Sequence, residues 1–209
     1  MSSLLGPTAL LFKSKHFFAL NKPAGVHWDE VMTQGASDWE PLHRLDHGTS
    51  GVLLYSHKDQ AEELRKALFQ NPLALKKSYL AGASAPLLES QLSGNILGFT
   101  AQRYKGSKKV SFSTLEEDLL GLRSLRSCVH SVRKATPIAN CPFQGHLYEV
   151  ILVTGARHQI RSYFAYEEAP LIGDSLYGGP PNPRIELHAW KLQFQCPFEK
   201  IDIEIEAPF

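Results

Sequence analysis

The chain has 209 residues, of which 43% are hydrophobic and 21% charged, and this composition is typical of one soluble globular domain over residues 1–209. The formal net charge of +1 excludes a global basic field, so a polyanionic partner has to bind a local patch. No apolar run approaches the roughly 20 residues that span a membrane, and no basic residue precedes the apolar N-terminal run, as one would in a signal peptide. The cysteines, Cys128, Cys141 and Cys196, form no CxxC pair, which favours free thiols over a zinc site or a disulfide framework. We therefore predict a cytoplasmic protein.

The first part of the chain predicts short strands, a turn and one helix. ALLFKSKHFFALNKPAGV indicates apolar strands that end in a turn near Pro23 to Gly25, and residues 26–42 have the character of a loop. GVLLYSH is an apolar run typical of a buried strand. In SHKDQAEELRKALFQNP, Ser56 and Asp59 match an S-x-x-D helix cap, and Pro72 follows the expected end. The predicted buried face of this helix holds Ala61, Leu64 and Leu68.

The second part is richer in strands. LKKSYLAGA (75–83) predicts a strand, residues 84–146 predict strands with long connections, and HLYEVILVTG (146–155) predicts another strand. ARHQIRSYFAYEE indicates a short helix with Ile160 and Phe164 on one face, and IELHAWKLQFQ and KIDIEIEA indicate two final strands. Because strands outnumber helices without a regular βαβ alternation, we predict an α+β fold with a mixed or antiparallel sheet.

A single carboxylate stands among potential cations in PLHRLDHGTSG, residues 41–51. Asp46 is flanked by His43, Arg44 and His47, and nearby cations favour the charged form of an acid. The two glycines allow a tight turn and the close approach of a ligand. The pattern fits an ionised Asp46 that acts as a nucleophile or base, and it also fits an acid that only closes a turn.

Two further clusters carry residues that could bind a ligand. In TGARHQIR (154–161), Arg157 and Arg161 are four apart, which predicts a shared helical face next to a helix N-terminus that can bind anions. In KKSYLAG (76–82), Lys77 and Tyr79 are two apart and point to the same side of a strand, where a tyrosine can stack on a base or move a proton. A solvated basic face and a tyrosine packed at a sheet edge are the alternatives.

Basic residues are concentrated between Thr100 and Lys134. This segment has eight lysines and arginines against three acids, whereas the tail from Glu199 onward is acidic. Such segregation of charge fits a domain with one side facing a polyanion, and it also fits a solvated insertion. The cations are Arg103, Lys105, Lys108, Lys109, Arg123, Arg126, Arg133 and Lys134.

Taken in order, these motifs resemble those of the RluA-type pseudouridine synthases. HRLDHGTSGVLL is similar to the signature HRLD-x-x-TSG of that family, and NKPAGV, KKSYLA, VTGARHQIR, LIGDSLYGG and LHAWKLQF resemble its other motifs, from about Leu10 to the C-terminus. The chain departs from the pattern at residues 27–29, which read His-Trp-Asp, and at Ala156, where the motif usually has an arginine. No stretch before ALLFKSKHFF could hold the S4-like RNA-binding domain of many relatives, so the resemblance implies a catalytic domain alone.

The resemblance implies a pseudouridine synthase fold, with a central sheet, flanking helices and a catalytic cleft. It also implies a reaction, the isomerisation of a flipped-out uridine in a tRNA or rRNA stem-loop, by a monomer that needs no cofactor and no metal. Asp46 would be the nucleophile or base, Arg161 would pair with it, and Tyr79 would stack on the uracil and help to remove a proton. Arg44 would fill the vacated stack. The implied RNA-binding residues are Lys22, His43, Arg44, Thr49, Lys77, Arg157 and His158.

Two other functions are compatible with the same residues. A non-catalytic RNA-binding or RNA-folding protein would keep the basic patch and Tyr79 and could lose Asp46. A metal-dependent hydrolase could use the loose His-x-x-Asp-His pattern of residues 43–47 with His158. The joint presence of Asp46, Tyr79 and Arg161 favours the synthase.

Overall fold

The computed structural model describes residues 9–31, 38–71, 74–92 and 94–209, and it divides the chain into two compact units. The first unit consists of residues up to Ser78 together with His188–Phe209, and the second of Tyr79–Leu187. Each unit has its own hydrophobic core. The chain passes from the first unit to the second within a single strand, β5. The predicted helix-ending role of Pro72 lies outside the described residues.

In chain order the strands are β1 (Ala9–Lys13), β2 (Phe17–Lys22), β3 (Trp39–Pro41), β4 (Ser50–His57), β5 (Leu75–Ala83), β6 (Ile96–Gln102), β7 (Val110–Ser113), β8 (Arg123–Lys134), β9 (His146–Leu152), β10 (Leu187–Gln195) and β11 (Asp202–Glu206). The α-helices are α1 (Lys58–Leu64), which continues as a π-helical turn over Arg65–Phe69, and α2 (Gln159–Tyr166). Single 3₁₀ turns occupy Glu89–Gln91, Glu116–Leu119 and Ser175–Tyr177.

The first unit contains a mixed sheet in the order β1, β2, β4, β10, with β3 added to β4 and β11 added to β10. The pairing of β4 with β10 is parallel, whereas β1 with β2, β2 with β4, and β10 with β11 are antiparallel. Apolar residues alternate along β11, so that Ile203 and Ile205 reach the core while their neighbours are exposed. The predicted α+β class with a mixed sheet is confirmed.

The second unit arranges β9, β8, β6 and β7 side by side, all antiparallel. Helix α2 packs its buried residues Ile160 and Phe164 into the core of this unit, as the sequence predicts. The long segment between β5 and β9 therefore consists of sheet strands joined by turns. One of its hairpin loops, residues 103–109 between β6 and β7, contacts Arg157 just before α2.

Helix α1 confirms one prediction and corrects another. Ala61, Leu64 and Leu68 are buried along one face, at 0%, 0% and 2% exposure. The predicted cap is wrong, because Ser56 lies inside β4 and donates its hydroxyl to the carbonyl of His57. The helix begins after His57 without a side-chain capping bond. Strand β3 also lies in a segment that the sequence indicated as loop.

None of the helices in the described ranges has the length and apolar character needed to cross a membrane. The three cysteines are free thiols, as the sequence predicts, with Cys128 and Cys196 buried.

Candidate active site

Asp46 lies in a tight turn that leads into β4. The N–H of Thr49 donates to the carbonyl of Asp46 at 3.0 Å and closes this turn. Two residues later, Gly51 has a φ of +114°, and a Cβ at this position would lie 2.1 Å from the carbonyl oxygen of Ala189 in β10. Only glycine permits that conformation and that approach. The backbone after Asp46 is therefore held tightly against β10.

A buried lysine holds the other side of the same turn. Lys22 is fully buried, and its Nζ donates to the carbonyls of Pro23 at 3.0 Å, Val26 at 2.8 Å and His47 at 3.2 Å. Burial lowers the pKa of Lys22 to about 8, and the negative charge of Asp46 opposes that shift. An ammonium group has three protons, so these three carbonyls account for all of them within the first unit. Lys22 thus ties the NKPAGV turn to the residue that follows Asp46.

A third contact fixes the start of β4. The Oγ of Ser50 and the Nδ1 of His188 are 2.8 Å apart, and the Nε2 of His188 lies 3.0 Å from the carbonyl of Ala207. Because a carbonyl can only accept, Nε2 of His188 carries a proton and donates it to Ala207. Both side chains are buried, and the ring of Phe209 stacks on His188 with centroids 4.7 Å apart.

The other predicted RNA-binding residues of this unit differ in exposure. Arg44 is exposed, whereas Thr49 and Lys77 are buried, and burial lowers the pKa of Lys77. The Nε2 of His43 accepts the backbone N–H of Leu54 at 3.1 Å. Burial first, and then the charge of Lys77, lowers the pKa of His43 to about 3, so His43 is neutral at physiological pH. Arg44 is thus the residue of this set that presents a charge to solvent.

Arg161 is held in the second unit by a buried carboxylate. Its Nε and Nη2 donate to the two carboxylate oxygens of Asp174, both at 2.7 Å, and the two side chains are 8% and 0% exposed. The guanidinium also lies over the ring of Tyr177, 5.2 Å from its centroid. A bidentate pair and a ring fix the plane of the guanidinium as well as its position.

Tyr177 also supports the residues around Arg161. Its hydroxyl lies 3.0 Å from the Nδ1 of His158 and accepts the backbone N–H of Val110 at 2.9 Å. His158 caps α2 with a left-handed φ of +53°, a conformation that costs a non-glycine residue about 1–3 kcal/mol. The side-chain oxygen of Gln159 accepts the backbone N–H of Ala156 at 3.0 Å and helps to hold this turn. The entry to α2 is therefore determined by side-chain hydrogen bonds.

The structure corrects the predicted position of Arg157. The sequence placed Arg157 and Arg161 on one helical face, but α2 begins at Gln159, after the left-handed His158. Arg157 instead donates from Nη1 to the carbonyl of Ser107 at 3.0 Å and from Nη2 to that of Lys108 at 2.9 Å. Both acceptors belong to the hairpin loop 103–109.

Tyr79 lies in the part of β5 that belongs to the second unit. Its half-buried side chain packs against the core that contains Phe164. Asp46 belongs to the first unit, whereas Tyr79 and Arg161 belong to the second. The pairing of Asp46 with Arg161 therefore remains a prediction.

All eight cations of the basic patch are exposed. Two of them form salt bridges, Arg133 with Glu149 at 2.6 Å and Lys134 with Glu89 at 2.5 Å. The register of β8 with β6 places Arg123 opposite Gln102, the residue before the hairpin loop. The loop itself carries four cations and an exposed aromatic ring, in the order Arg103, Tyr104, Lys105, Lys108 and Lys109.

The sequence did not single out Asp174 and Tyr177 as functional residues. Both lie in LIGDSLYGG, a motif that carried the resemblance but had no role assigned to its members. The one signal in the sequence that could have identified Asp174 was a carboxylate in a motif that contains glycines on both sides of it. In the described ranges, no group of three or more His, Cys, Asp or Glu side chains is placed to hold a metal ion.

The chain matches known proteins over most of its length. A family model described as RNA pseudouridylate synthase matches residues 16–166. The chain is 26% identical to the tRNA pseudouridine synthase C of Vibrio cholerae, over 95% of this chain and 89% of that protein. It is also 26% identical to the dual-specificity RNA pseudouridine synthase RluA of Pasteurella multocida, over 92% and 89%. Human RNA pseudouridylate synthase domain containing 1 has a similar fold, with a TM-score of 0.75 at 20% identity over 97% of this chain and 83% of that one.

Proposed function

Because the chain belongs to the RNA pseudouridylate synthase family, whose members are isomerases, we propose that it converts specific uridines of tRNA or rRNA to pseudouridine. The observation that carries this proposal is the match over residues 16–166, which includes Asp46, Tyr79 and Arg161. The named relatives are a tRNA pseudouridine synthase and a dual-specificity RNA pseudouridine synthase. We also propose that the chain acts as one catalytic domain, as a cytoplasmic monomer without a cofactor or a metal.

Asp46 is the reactive carboxylate in this proposal. The reaction breaks the bond from N1 of uracil to C1′ of ribose and forms a bond from C5 to C1′. C5 loses its proton and N1 gains one, so there is no net change in atoms or oxidation state. Asp46 either attacks covalently at C1′ or C6, or removes a proton from the sugar to give a glycal-like intermediate. Its turn is fixed from both sides, by Lys22 and by Gly51, which supports a carboxylate that is aimed before substrate binds.

We propose that Arg161 pairs with Asp46 and keeps it ionised. Arg161 donates from Nε and from Nη2 to the two carboxylate oxygens of Asp174. A guanidinium that is already fixed in its plane loses little entropy when it binds a second carboxylate. The buried Asp174 therefore supports a role for Arg161 as a preorganised partner.

Tyr79 is proposed to stack on the target uracil and to help remove the C5 proton. A tyrosine with a reference pKa of about 10 does this either in an environment that favours its phenolate or through a water molecule. Its half-buried position in β5 leaves part of the ring accessible to a base.

RNA binding is proposed to involve extrusion of the uridine and capture of the phosphates. Flipping a base costs a few kcal/mol, least where the base is already unpaired, and the exposed Arg44 would fill the vacated stack. The cations of the hairpin loop, with Arg123 and Arg126, would neutralise phosphates. Their contribution should weaken as salt rises, because each neutralised phosphate releases counterions.

Mapping of pseudouridines tests the proposed function. Total RNA from cells with and without the gene is treated with carbodiimide, and the positions of pseudouridine adducts are compared. We expect at least one site to disappear without the gene, to return with the wild-type gene and to stay absent with Asp46→Asn. If all sites are unchanged without the gene, the proposal fails. If Asp46→Asn restores the site, the alternative of a non-catalytic RNA-binding role for this scaffold gains support, and Asp46 loses its assigned role.

A further inference from the structure

The hairpin loop 103–109 has a defined conformation despite its charge. The N–H of Ser107 donates to the carbonyl of Tyr104 at 3.0 Å, and Gly106 has a φ of +84°, as a type II turn requires at its third residue. Ser107 is only 5% exposed, and its hydroxyl donates to the carbonyl of Lys109 at 2.8 Å. The loop sequence RYKGSKK nevertheless carries four exposed cations, whose mutual repulsion favours opening.

Two side chains from the region of α2 tie this loop down. Arg157 donates through both Nη atoms to the consecutive carbonyls of Ser107 and Lys108. At the end of the loop, the hydroxyl of Tyr177 meets both the N–H and the carbonyl of Val110, at 2.9 and 3.1 Å. The residues that hold the loop are therefore next to His158 and Arg161, which lie at the start of α2.

We propose that Arg157 is a positioning residue that holds the hairpin loop in the conformation that captures RNA, and that it is not itself a phosphate contact. The inference rests on the proposed function, since it assigns the loop to RNA. The positive charge of Arg157 adds repulsion to a loop that is already strongly basic. Arg157 therefore stabilises the loop through the two hydrogen bonds of its planar guanidinium and not through its charge. Lysine would keep the charge of Arg157 but not the fork.

A tethered loop affects binding more than chemistry. The loop cations would meet phosphates, and Tyr104, at 60% exposure, offers a ring on which an unpaired base can stack. Release of the tether would let the loop adopt many conformations, and RNA would then have to order it again at a cost in affinity. We expect KM to rise in variants of Arg157, with kcat nearly unchanged.

The substitution Arg157→Lys separates a tether from a phosphate contact. RNA affinity is measured at several salt concentrations for Arg157→Lys and Arg157→Ala, with Arg126→Lys and Arg126→Ala as matched controls on β8. A tether predicts that Arg157→Lys weakens binding as much as Arg157→Ala, by at least about tenfold. At Arg126, which is proposed to contact a phosphate, lysine should keep the salt slope of the wild type and alanine should reduce that slope by about one. The proposal is overturned if Arg157→Lys binds like the wild type.

Hydrogen exchange in the free protein tests the tether without RNA. The amides of Ser107 and Val110 should exchange faster in Arg157→Lys than in the wild type, while those of β4 stay unchanged. Unchanged exchange across the loop would refute the tether, and faster exchange with unaltered RNA affinity would refute its role in capture. If the wild type binds no RNA while the loop still loosens in the variant, the proposed function is what has failed.

Discussion

The two units hold their central charged residues in different ways. In the first, the turn that carries Asp46 is fixed through its backbone, by the ammonium of Lys22 on one side and by the approach of Gly51 to β10 on the other. In the second, Arg161 is fixed through its side chain, by both oxygens of Asp174. The position of Asp46 thus depends on the backbone of its turn, whereas the orientation of the guanidinium of Arg161 depends on the side chain of Asp174.

The difference predicts unequal tolerance to substitution. A buried ion pair loses most when one partner is removed, since the other charge is left buried without compensation. A lysine that donates to carbonyls can be replaced with a smaller loss, because removal of the ammonium also removes the cost of burying its charge. We therefore expect substitution of the buried pair in the second unit to reduce stability more than substitution of Lys22 in the first.

Among substitutions of the residues that hold Asp46 and Arg161 in place, the largest effect should come from Asp174→Asn. The substitution leaves the guanidinium of Arg161 buried beside a neutral amide, which should lower the free energy of unfolding by about 3–5 kcal/mol. Activity should fall by about 10²-fold even where the protein is folded, because Arg161 loses its fixed orientation. Denaturant titration and single-turnover assays measure the two effects.

Glu62→Gln is the matched control, since it makes the same change in an exposed salt bridge with Lys66. It should leave both the unfolding midpoint and the activity unchanged. Equal losses in the two variants would show that the Asp174 pair has no special role.

A smaller effect is expected for Lys22→Met. Methionine fills a similar volume but donates to none of the three carbonyls, so the turn next to Asp46 should loosen and activity should fall by about tenfold. Stability should change by no more than about 2 kcal/mol, because the lost hydrogen bonds are partly offset by the removal of a buried charge. Lys58→Met, at an exposed position of the same unit, is the control. A variant of Lys22 that is unstable yet fully active when folded would contradict a positioning role.

The smallest effect is the titration of Lys22. Its pKa is lowered from 10.5 to about 8, so above pH 8 the folded protein loses a proton that the unfolded chain retains. This group alone should make the free energy of unfolding rise between about pH 8 and 10.5. Activity should decline around pH 8, where the folded protein loses this proton, because one carbonyl then loses its donor. NMR of ¹³Cε-labelled lysines, assigned with Lys22→Met, should show a midpoint near 8. A midpoint near 10.5 would refute the burial of a charged Lys22.

The sequence predicted strands and helices well where a continuous apolar run or a single apolar face defines the element. The strand at residues 75–83 and the buried face of α1 are found where the sequence indicated them. The cap at Ser56 was mispredicted because the hydrogen bonds of β4 extend through that residue, and sequence spacing does not reveal where a strand ends. The same limit misplaced Arg157, because the left-handed His158 delays the start of α2.

The site was predictable in its residue types but not in its contacts. Lys22 reads as one more cation, and only the fold shows that it is fully buried among carbonyls. The partner of Arg161 lies 13 residues further along the chain, a separation that no helical or strand period marks. Long-range pairs of this kind depend on how the chain folds back, which the local sequence does not determine.

The role of Asp46 is tested most directly by release of tritium from RNA that carries [5-³H]uridine, with purified wild type and Asp46→Asn compared at equal RNA occupancy. Loss of the C5 proton accompanies formation of the new bond, so the assay reports the chemistry and not the binding. We predict that Asp46→Asn binds RNA within about twofold of the wild type and releases tritium at least about 10⁴-fold more slowly. Tritium release by Asp46→Asn at the wild-type rate would contradict the assignment of Asp46 as the reactive carboxylate.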